Sequence, residues 1–290
     1  MAGDAGPAQH GEDGAEAGLT GMTEPVWEAY AVRYGTHATR TRRECFMGLD
    51  PHDAAPKPLD YFVWALRSGD RVVVVDTGFD HAEAGRRNRV LERLPREGLA
   101  MLGIDAATVE DVVITHLHHD HAGTLDDFPR ARFHLQEAEM AYATGRCMTW
   151  PHLRMTYACD HVCQMVRGVF DGRVAFADGD REIAPGLSVH LIGGHSKGMQ
   201  AVRARTRRGW LVLASDATHY YENFETGRPF IITHDAEATL RGYERLHELA
   251  SSPAHVVPGH DPLVMQRYPA PDPRLAGVVV RLDVEPRFSS

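Results

Sequence analysis

Thr115-His116-Leu117-His118-His119-Asp120-His121-Ala122-Gly123 packs four histidines and an aspartate into six consecutive positions. At this histidine content an H-x-H-x-D-H pattern is expected by chance only about 0.004 times in such a chain. The stretch follows Val112-Val113-Ile114, a short strand-type run, so it reads as a loop that a strand end delivers to a site. In an extended segment His116 and His118 point the same way and can hold one metal ion. Asp120 and His121, one turn further on, can face a second. Imidazole nitrogens with a carboxylate suit Zn(II), and also Fe(II), Mn(II) or Co(II).

Three later positions complete the constellation. His195 follows the strand-like Leu187–Ile192 and the Gly193-Gly194 turn, Asp216 follows Trp210–Ala214, and His260 follows His255–Pro258. Each is a ligand-type residue at a predicted strand end, so one face of the fold can gather all seven side chains. Two ions sharing Asp216 and a hydroxide would then have about five ligands each.

The rest of the chain supplies a frame. Leu59–Leu66 and Arg71–Asp76 flank Arg67-Ser68-Gly69-Asp70 and read as a hairpin, with Val72–Val75 buried on both faces. Ala201–Thr206 and Trp210–Ala214 form a second hairpin around Arg207-Arg208-Gly209. A helical pattern runs over 83–101, interrupted by Pro95. Asp105 reads as a helix cap before Ala106–Glu110. Phe133 opens a segment that turns helical through Gln136–Tyr142. Ala236–Ala250 has helical spacing, and Val278–Leu282 reads as a closing strand. Strands and helices alternate, which points to an α/β sandwich. The Gly- and Ala-rich residues 1–24 read as a disordered tail, and 25–290 as one domain. Arg203, Arg205, Arg207 and Arg208 are expected on an exposed sheet face. Met148, Trp150, Met155, Tyr157 and Met165 are expected either in the core or along an apolar acyl pocket.

Composition narrows the function. The 290 residues are 43% hydrophobic and 24% charged, ordinary for a globular chain. No run of 18 apolar residues suggests a membrane span. No Lys or Arg precedes Arg33, so the start lacks a secretory pattern and a cytoplasmic protein is expected. A net charge of −9 argues against nucleic acid as a partner. The four cysteines form no CxxC pair and read as reduced, mostly buried thiols. Of the 18 histidines, His10, His37, His52, His81, His134, His152, His161, His190, His247 and His255 read as solvated or core residues. His119, at the variable position of the motif, is expected to point outward or to support a ligand.

The H-x-H-x-D-H loop, with Gly194-His195, Ser215-Asp216 and Gly259-His260, resembles the metallo-β-lactamase superfamily over about residues 26–283. The resemblance implies a four-layer αββα sandwich and two divalent ions, Zn foremost. Asp76 in Val75-Asp76-Thr77-Gly78 matches the family's early strand-end aspartate, which supports a ligand histidine. Within the superfamily the chain looks most like the N-acyl homoserine lactonases, given the complete donor set and Asp216-Ala217-Thr218 followed by Glu222-Asn223-Phe224. Those enzymes place a tyrosine three residues after the shared aspartate, near the lactone carbonyl. Here that position is His219, followed by Tyr220 and Tyr221.

The reading that follows is opening of a lactone or ester by a metal-bridging hydroxide. Asp120 shuttles a proton to the leaving oxygen, and His219, Tyr220 or Tyr221 contacts the carbonyl. A homodimer is plausible from the resemblance. Competing readings are a hydrolase of the same fold for another lactone, ester or thioester, as in glyoxalase II, and a non-catalytic metal-bound sensor. A phosphodiesterase acting on RNA fits poorly with the net charge. The superfamily's flavodiiron proteins carry glutamate where His118 stands.

Overall fold

The computed structural model describes residues 1–3 and 25–288. The expected disordered tail therefore lies almost wholly outside the described residues, and so does His10. Among the described residues thirteen strands follow one another: β1 Glu28–His37, β2 Leu59–Ser68, β3 Arg71–Val75, β4 Val90–Leu91, β5 Asp111–Val113, β6 Arg132–Gln136, β7 Val174–Ala177, β8 Arg181–Ala184, β9 Leu187–Leu191, β10 Gln200–Thr206, β11 Gly209–Ser215, β12 Val256–Pro258 and β13 Val279–Arg281. The α-helices are α1 His81–Arg87, α2 Pro95–Met101, α3 Glu137–Ala143, α4 Pro151–Arg154, α5 Cys159–Phe170, α6 Tyr221–Thr226, α7 Ala236–Leu249 and α8 Leu263–Arg267.

One sheet runs β13-β1-β2-β3-β5-β6-β7 with β4 on the flank of β1, and the other runs β12-β11-β10-β9-β8. β2 shows why they stack. Its Phe62, Trp64 and Leu66 enter a core shared with Val189, Val202, Leu211 and Leu213 of the second sheet. Its Tyr61, Val63 and Ala65 enter another core, shared with Leu99 of α2 and with Val162 and Met165 of α5. A strand apolar on both faces needs a layer on each side. On the far side α7 packs Tyr243, Leu246 and Leu249 inward. The result is the αββα sandwich that the sequence implied.

Both expected hairpins form, with Trp64↔Val75 and Arg205↔Trp210 in register. The pattern over 83–101 resolves into two helices. Asn88 takes a left-handed conformation and closes α1, and Pro95 opens α2 at a position where its missing N–H costs nothing. The cap at Asp105 serves only a single turn, Ala106–Thr108. β7 and β8 were not anticipated. The arginine run is less exposed than expected: Arg203 lies over the Trp210 ring at 3.7 Å, and Arg208 folds against Tyr268 and the Leu282 carbonyl. Of the four free thiols only Cys45 is buried, because Cys159 and Cys163 lie on the outer face of α5.

The segment between β1 and β2 is tied down by charge. Arg42 pairs with Glu222 of α6, which also takes Lys57 Nζ at 2.9 Å. Arg42 and Arg228 both reach Asp50. The hydrogen bond from Arg42, against partial desolvation and with help from Lys57, holds the Glu222 carboxyl down at about 2, below its ordinary 4.5. A depressed carboxyl stabilises the fold above the unfolded value and loses that contribution as pH falls. Glu222→Gln should therefore lower Tm at pH 7, and the difference from wild type should shrink as pH falls from about 4.5 towards 2. A Tm–pH series checks this, and a difference that persists unchanged at pH 2 contradicts it.

Candidate active site

The site lies where strand ends of both sheets converge. β3 and β5 run parallel, as do β11 and β12, so the residues after each pair emerge on one edge. Asp76 and Ser215, directly at this edge, hold φ of 63° and 45°. Such left-handed backbone at non-glycine residues costs roughly 1–3 kcal/mol and persists only where surroundings impose it. The Asp76 carboxylate explains its case. It accepts from Thr115 N at 2.8 Å, Thr115 Oγ1 at 2.9 Å and His121 Nδ1 at 2.7 Å. His121 thereby donates through Nδ1 and keeps Nε2 free for the site.

The other rings are fixed in the same manner. His195 Nδ1 donates to the Ile232 carbonyl and His260 Nδ1 to the Asp60 carbonyl, each at 2.8 Å. His116 Nδ1 sits 3.2 Å from Thr115 Oγ1. The free nitrogens then crowd together. His118 Nδ1 lies 2.9 Å from Nε2 of His116 and 2.9 Å from Nε2 of His195. Asp216 stands between two groups. Its Oδ1 is 3.2 Å from His121 Nε2 and 2.9 Å from His260 Nε2. Its Oδ2 is 3.2 Å from His195 Nε2 and 3.8 Å from His116 Nε2. Asp120 approaches the first group, at 3.8 Å from His121 and 3.9 Å from His260.

The donor chemistry fits divalent cations. His116, His118, His195 and Asp216 offer one set of mutually close atoms, and Asp120, His121 and His260 another. His121 Nε2 and Asp216 Oδ1 are buried and make no hydrogen bond, which is costly unless a partner takes their lone pairs. Burial and neighbouring histidines drive the His116 pKa far down, so the ring is neutral and can donate a lone pair. Burial opposes charge on Asp216 as well, yet His219, His260 and His121 outweigh it and keep the carboxylate ionised. Burial likewise opposes the charge of His121, but Asp216, Asp76 and Asp120 raise its pKa.

The profile of the family described as the metallo-beta-lactamase superfamily matches residues 56–268. The chain belongs to the metallo-β-lactamase superfamily. An N-acyl homoserine lactonase of Bacillus cereus is 26% identical over 219 residues, covering 70% of this chain and 82% of that protein. N-acyl homoserine lactonase AiiB of Agrobacterium fabrum is 31% identical over 170 residues, covering 57% of this chain and 61% of that protein. Among solved structures, a quorum-quenching N-acyl homoserine lactone lactonase superposes with a TM-score of 0.69 at 23% identity, over 83% of this chain and 95% of its own.

In this metallo-β-lactamase-superfamily chain the three residues after Thr218 part company. His219 faces the donors, with Nε2 at 3.0 Å from Asp216 Oδ2 and its ring stacked on Phe230 at 3.5 Å. Tyr220 turns away: its hydroxyl meets Cys45 Sγ at 3.3 Å and the Pro58 carbonyl at 3.3 Å. Tyr221 lies under the Arg267 guanidinium at 3.7 Å. Neither tyrosine lines the cavity beside the donors, whereas His219 does. The cause is local: α6 begins at Tyr221, and the turn into it swings both rings into the core.

His119 donates to the Thr156 carbonyl and borders the cavity. His134 and His190 pair with Asp111 and Asp180 away from the donors, and His255 bonds Ser252. Of the five proposed acyl-pocket residues only Met155 reaches the cavity; Met165 is core, and Trp150 is exposed.

Glu139, at the start of α3, escaped the sequence reading. It is fully buried and accepts four hydrogen bonds, from Leu117 N, Tyr157 Oη, Ser196 Oγ and Gly198 N, at 2.7–3.0 Å. It ties the His116–His121 loop to the His195 loop, while Tyr157 packs edge-on against His118 at 4.5 Å. Gly198 is required there, since a Cβ would stand 2.2 Å from Glu139 N. No motif announces this residue, because its partners are scattered over eighty positions.

Proposed function

We propose that this chain is a metal-dependent hydrolase that opens a lactone ring with two divalent ions held on either side of Asp216. The observation that carries the reading is the division of donors between the two oxygens of that one carboxylate. His116, His118, His195 and Asp216 would hold one ion, and Asp120, His121, His260 and Asp216 the other. Divalent ions, when bound, supply Lewis acidity and a water nucleophile at neutral pH. A lactone is supported by the relatives named as N-acyl homoserine lactonases, which makes an acyl homoserine lactone the first compound to try.

The chain's own groups have definite tasks in this reading. Asp76, Asp60 and Ile232 fix the ring tautomers, so that free nitrogens face the centre. Tyr34 donates to the Asp120 carbonyl at 2.8 Å and holds that turn. Asp120 is desolvated, yet His119, His121 and His260 keep it ionised. It can therefore take a proton at the nucleophile side and return it to the leaving alkoxide. Burial lowers His219 to about 3, against the pull of Asp216. Its neutral ring presents a polar edge where a substrate carbonyl would lie.

Proton release from a lactone panel tests the reading. The metal-loaded protein should acidify the solution, lose that activity on chelation, and regain it with added Zn, Mn or Co. Two ions bound per chain with no ring opened would sink the lactonase assignment. His219→Phe keeps the stacking on Phe230 but removes the nitrogen edge. It should lower kcat by about 10–100-fold at unchanged metal content. A fall in metal content would make His219 a ligand, which its closeness to Asp216 and His260 permits.

A further inference from the structure

The cavity at the metal centre carries positive charge that the donor set does not use. Arg40, Arg87 and Arg89 line it beside His118, Asp120, Asp216 and His219. Arg87 is committed: it pairs with Glu83 and bonds the carbonyls of Met155 and Tyr157. Arg40 and Arg89 are different. Neither has a carboxylate within ion-pair distance among the described residues, and the Nε of each is buried without a hydrogen-bond partner.

Arg40 is only 9% exposed. Its hydrogen bond to protein runs from Nη2 to the Glu44 carbonyl, and its guanidinium lies 5.0 Å from the centre of the Phe230 ring that stacks on His219. Arg89 donates through Nη1 to the Arg87 carbonyl and meets His37 Nε2 at 3.4 Å. A guanidinium has five N–H donors in a fork that matches a carboxylate, so both retain donor capacity. Arg40 is thus a buried charge without an ion-pair partner, which is expensive, while Arg89 is half-buried. The lining carboxylates, Asp120 and Asp216, belong to the donor groups and cannot offset it. His37, lowered to about 4 by burial and by Arg89 and Arg40, stays neutral beside them. The cavity is also compact, about 90 Å³, against roughly 300–1,000 Å³ for ordinary ligand sites.

We infer that the substrate is a compact lactone bearing a carboxylate beside the ring, and that Arg40 and Arg89 receive that carboxylate. The inference rests on the lactonase reading and narrows it: a neutral, long-chain acyl lactone leaves both guanidiniums unpaired. Arg40 would hold the anion on the Phe230 side and Arg89 on the Tyr61 side, placing the ring over His219 and Asp216.

The test compares 5-oxotetrahydrofuran-2-carboxylate with its carboxamide, the same ring without the charge, and with N-hexanoyl homoserine lactone. The metal-loaded full chain should open the carboxylate with kcat/KM at least about tenfold above the amide, the worth of one charged hydrogen bond. In Arg89→Gln and Arg40→Lys that ratio should fall towards one, and Arg40→Lys, which keeps the charge but loses the fork, guards against a variant that fails to fold. Preference for the amide or the acyl homoserine lactone, or a ratio unmoved in both variants, overturns the inference. If a chain with two ions bound opens no lactone, the lactonase reading falls instead. Calorimetric titration then decides the anion site alone: carboxylate binding at least about tenfold tighter than the amide, and lost in the variants, sustains it, while equal affinities overturn it.

Discussion

Asp216→Ala is expected to abolish turnover and to lower bound metal together. One carboxylate serves two donor groups here, Oδ1 beside His121 and His260 and Oδ2 beside His195 and His116. Its removal therefore weakens both sites at once. The loss in kcat/KM should be at least about 10³-fold, beyond the 10²–10³ that one transition-state donor supplies. The metal-free variant should still fold, since Asp216 contributes no core packing and its removal relieves a buried charge. Metal analysis, proton release and Tm measured on one preparation separate these effects. A variant that keeps two ions and full activity would remove Asp216 from the centre of the account.

Glu139→Ala is expected to act the other way round, on the fold first. Four donors lose their acceptor at once, two of them backbone N–H groups that cannot turn elsewhere. Leaving buried donors unsatisfied costs about 1–3 kcal/mol each where water cannot enter. A total of about 3–5 kcal/mol is reasonable once relaxation is allowed, a fall in Tm of roughly 10 °C. Glu139→Gln should fall between wild type and Glu139→Ala, since the amide keeps one accepting oxygen but turns its NH2 towards two of the four donors. Metal affinity should fall as well, since the His118 and His195 loops are no longer pinned to each other. Equal stability of Glu139→Ala and wild type in thermal melts would show that water or a rearranged loop replaces the carboxylate.

Much of this was legible before any coordinates, and the reasons are physical. The seven donor-type residues stood out because each follows a strand-type run, and parallel strands deliver their ends to one edge. Asp76 was readable only through the family resemblance of Val75-Asp76-Thr77-Gly78. Alternating strands and helices pointed to an α/β sandwich, and the continuous apolar run Val72–Val75 to a strand with no exposed face; the four-layer αββα order came from the family resemblance. What stayed hidden depends on rotation and distance. His219, Tyr220 and Tyr221 are consecutive, and only the start of α6 decides which one faces the cavity. Glu139 and the arginines Arg40 and Arg89 act through partners far away in the chain, with no spacing to mark them. Over 83–101 the only break that the sequence marks is Pro95, because the apolar Val90 and Leu91, which pair as a strand in the gap between two helices, carry on the helical pattern.

The hydrogen bond from His260 to Asp60 joins positions 200 residues apart, whereas that from His121 to Asp76 spans 45. During synthesis from the N-terminus, the first half of the centre can therefore assemble on the ribosome long before the second half has emerged. A nascent chain of some 190 residues already presents His116, His118 and His121 without His195, Asp216 or His260, and closing so long a loop comes late. The donor groups around Asp216 can therefore come together only once the chain through His260 has been made.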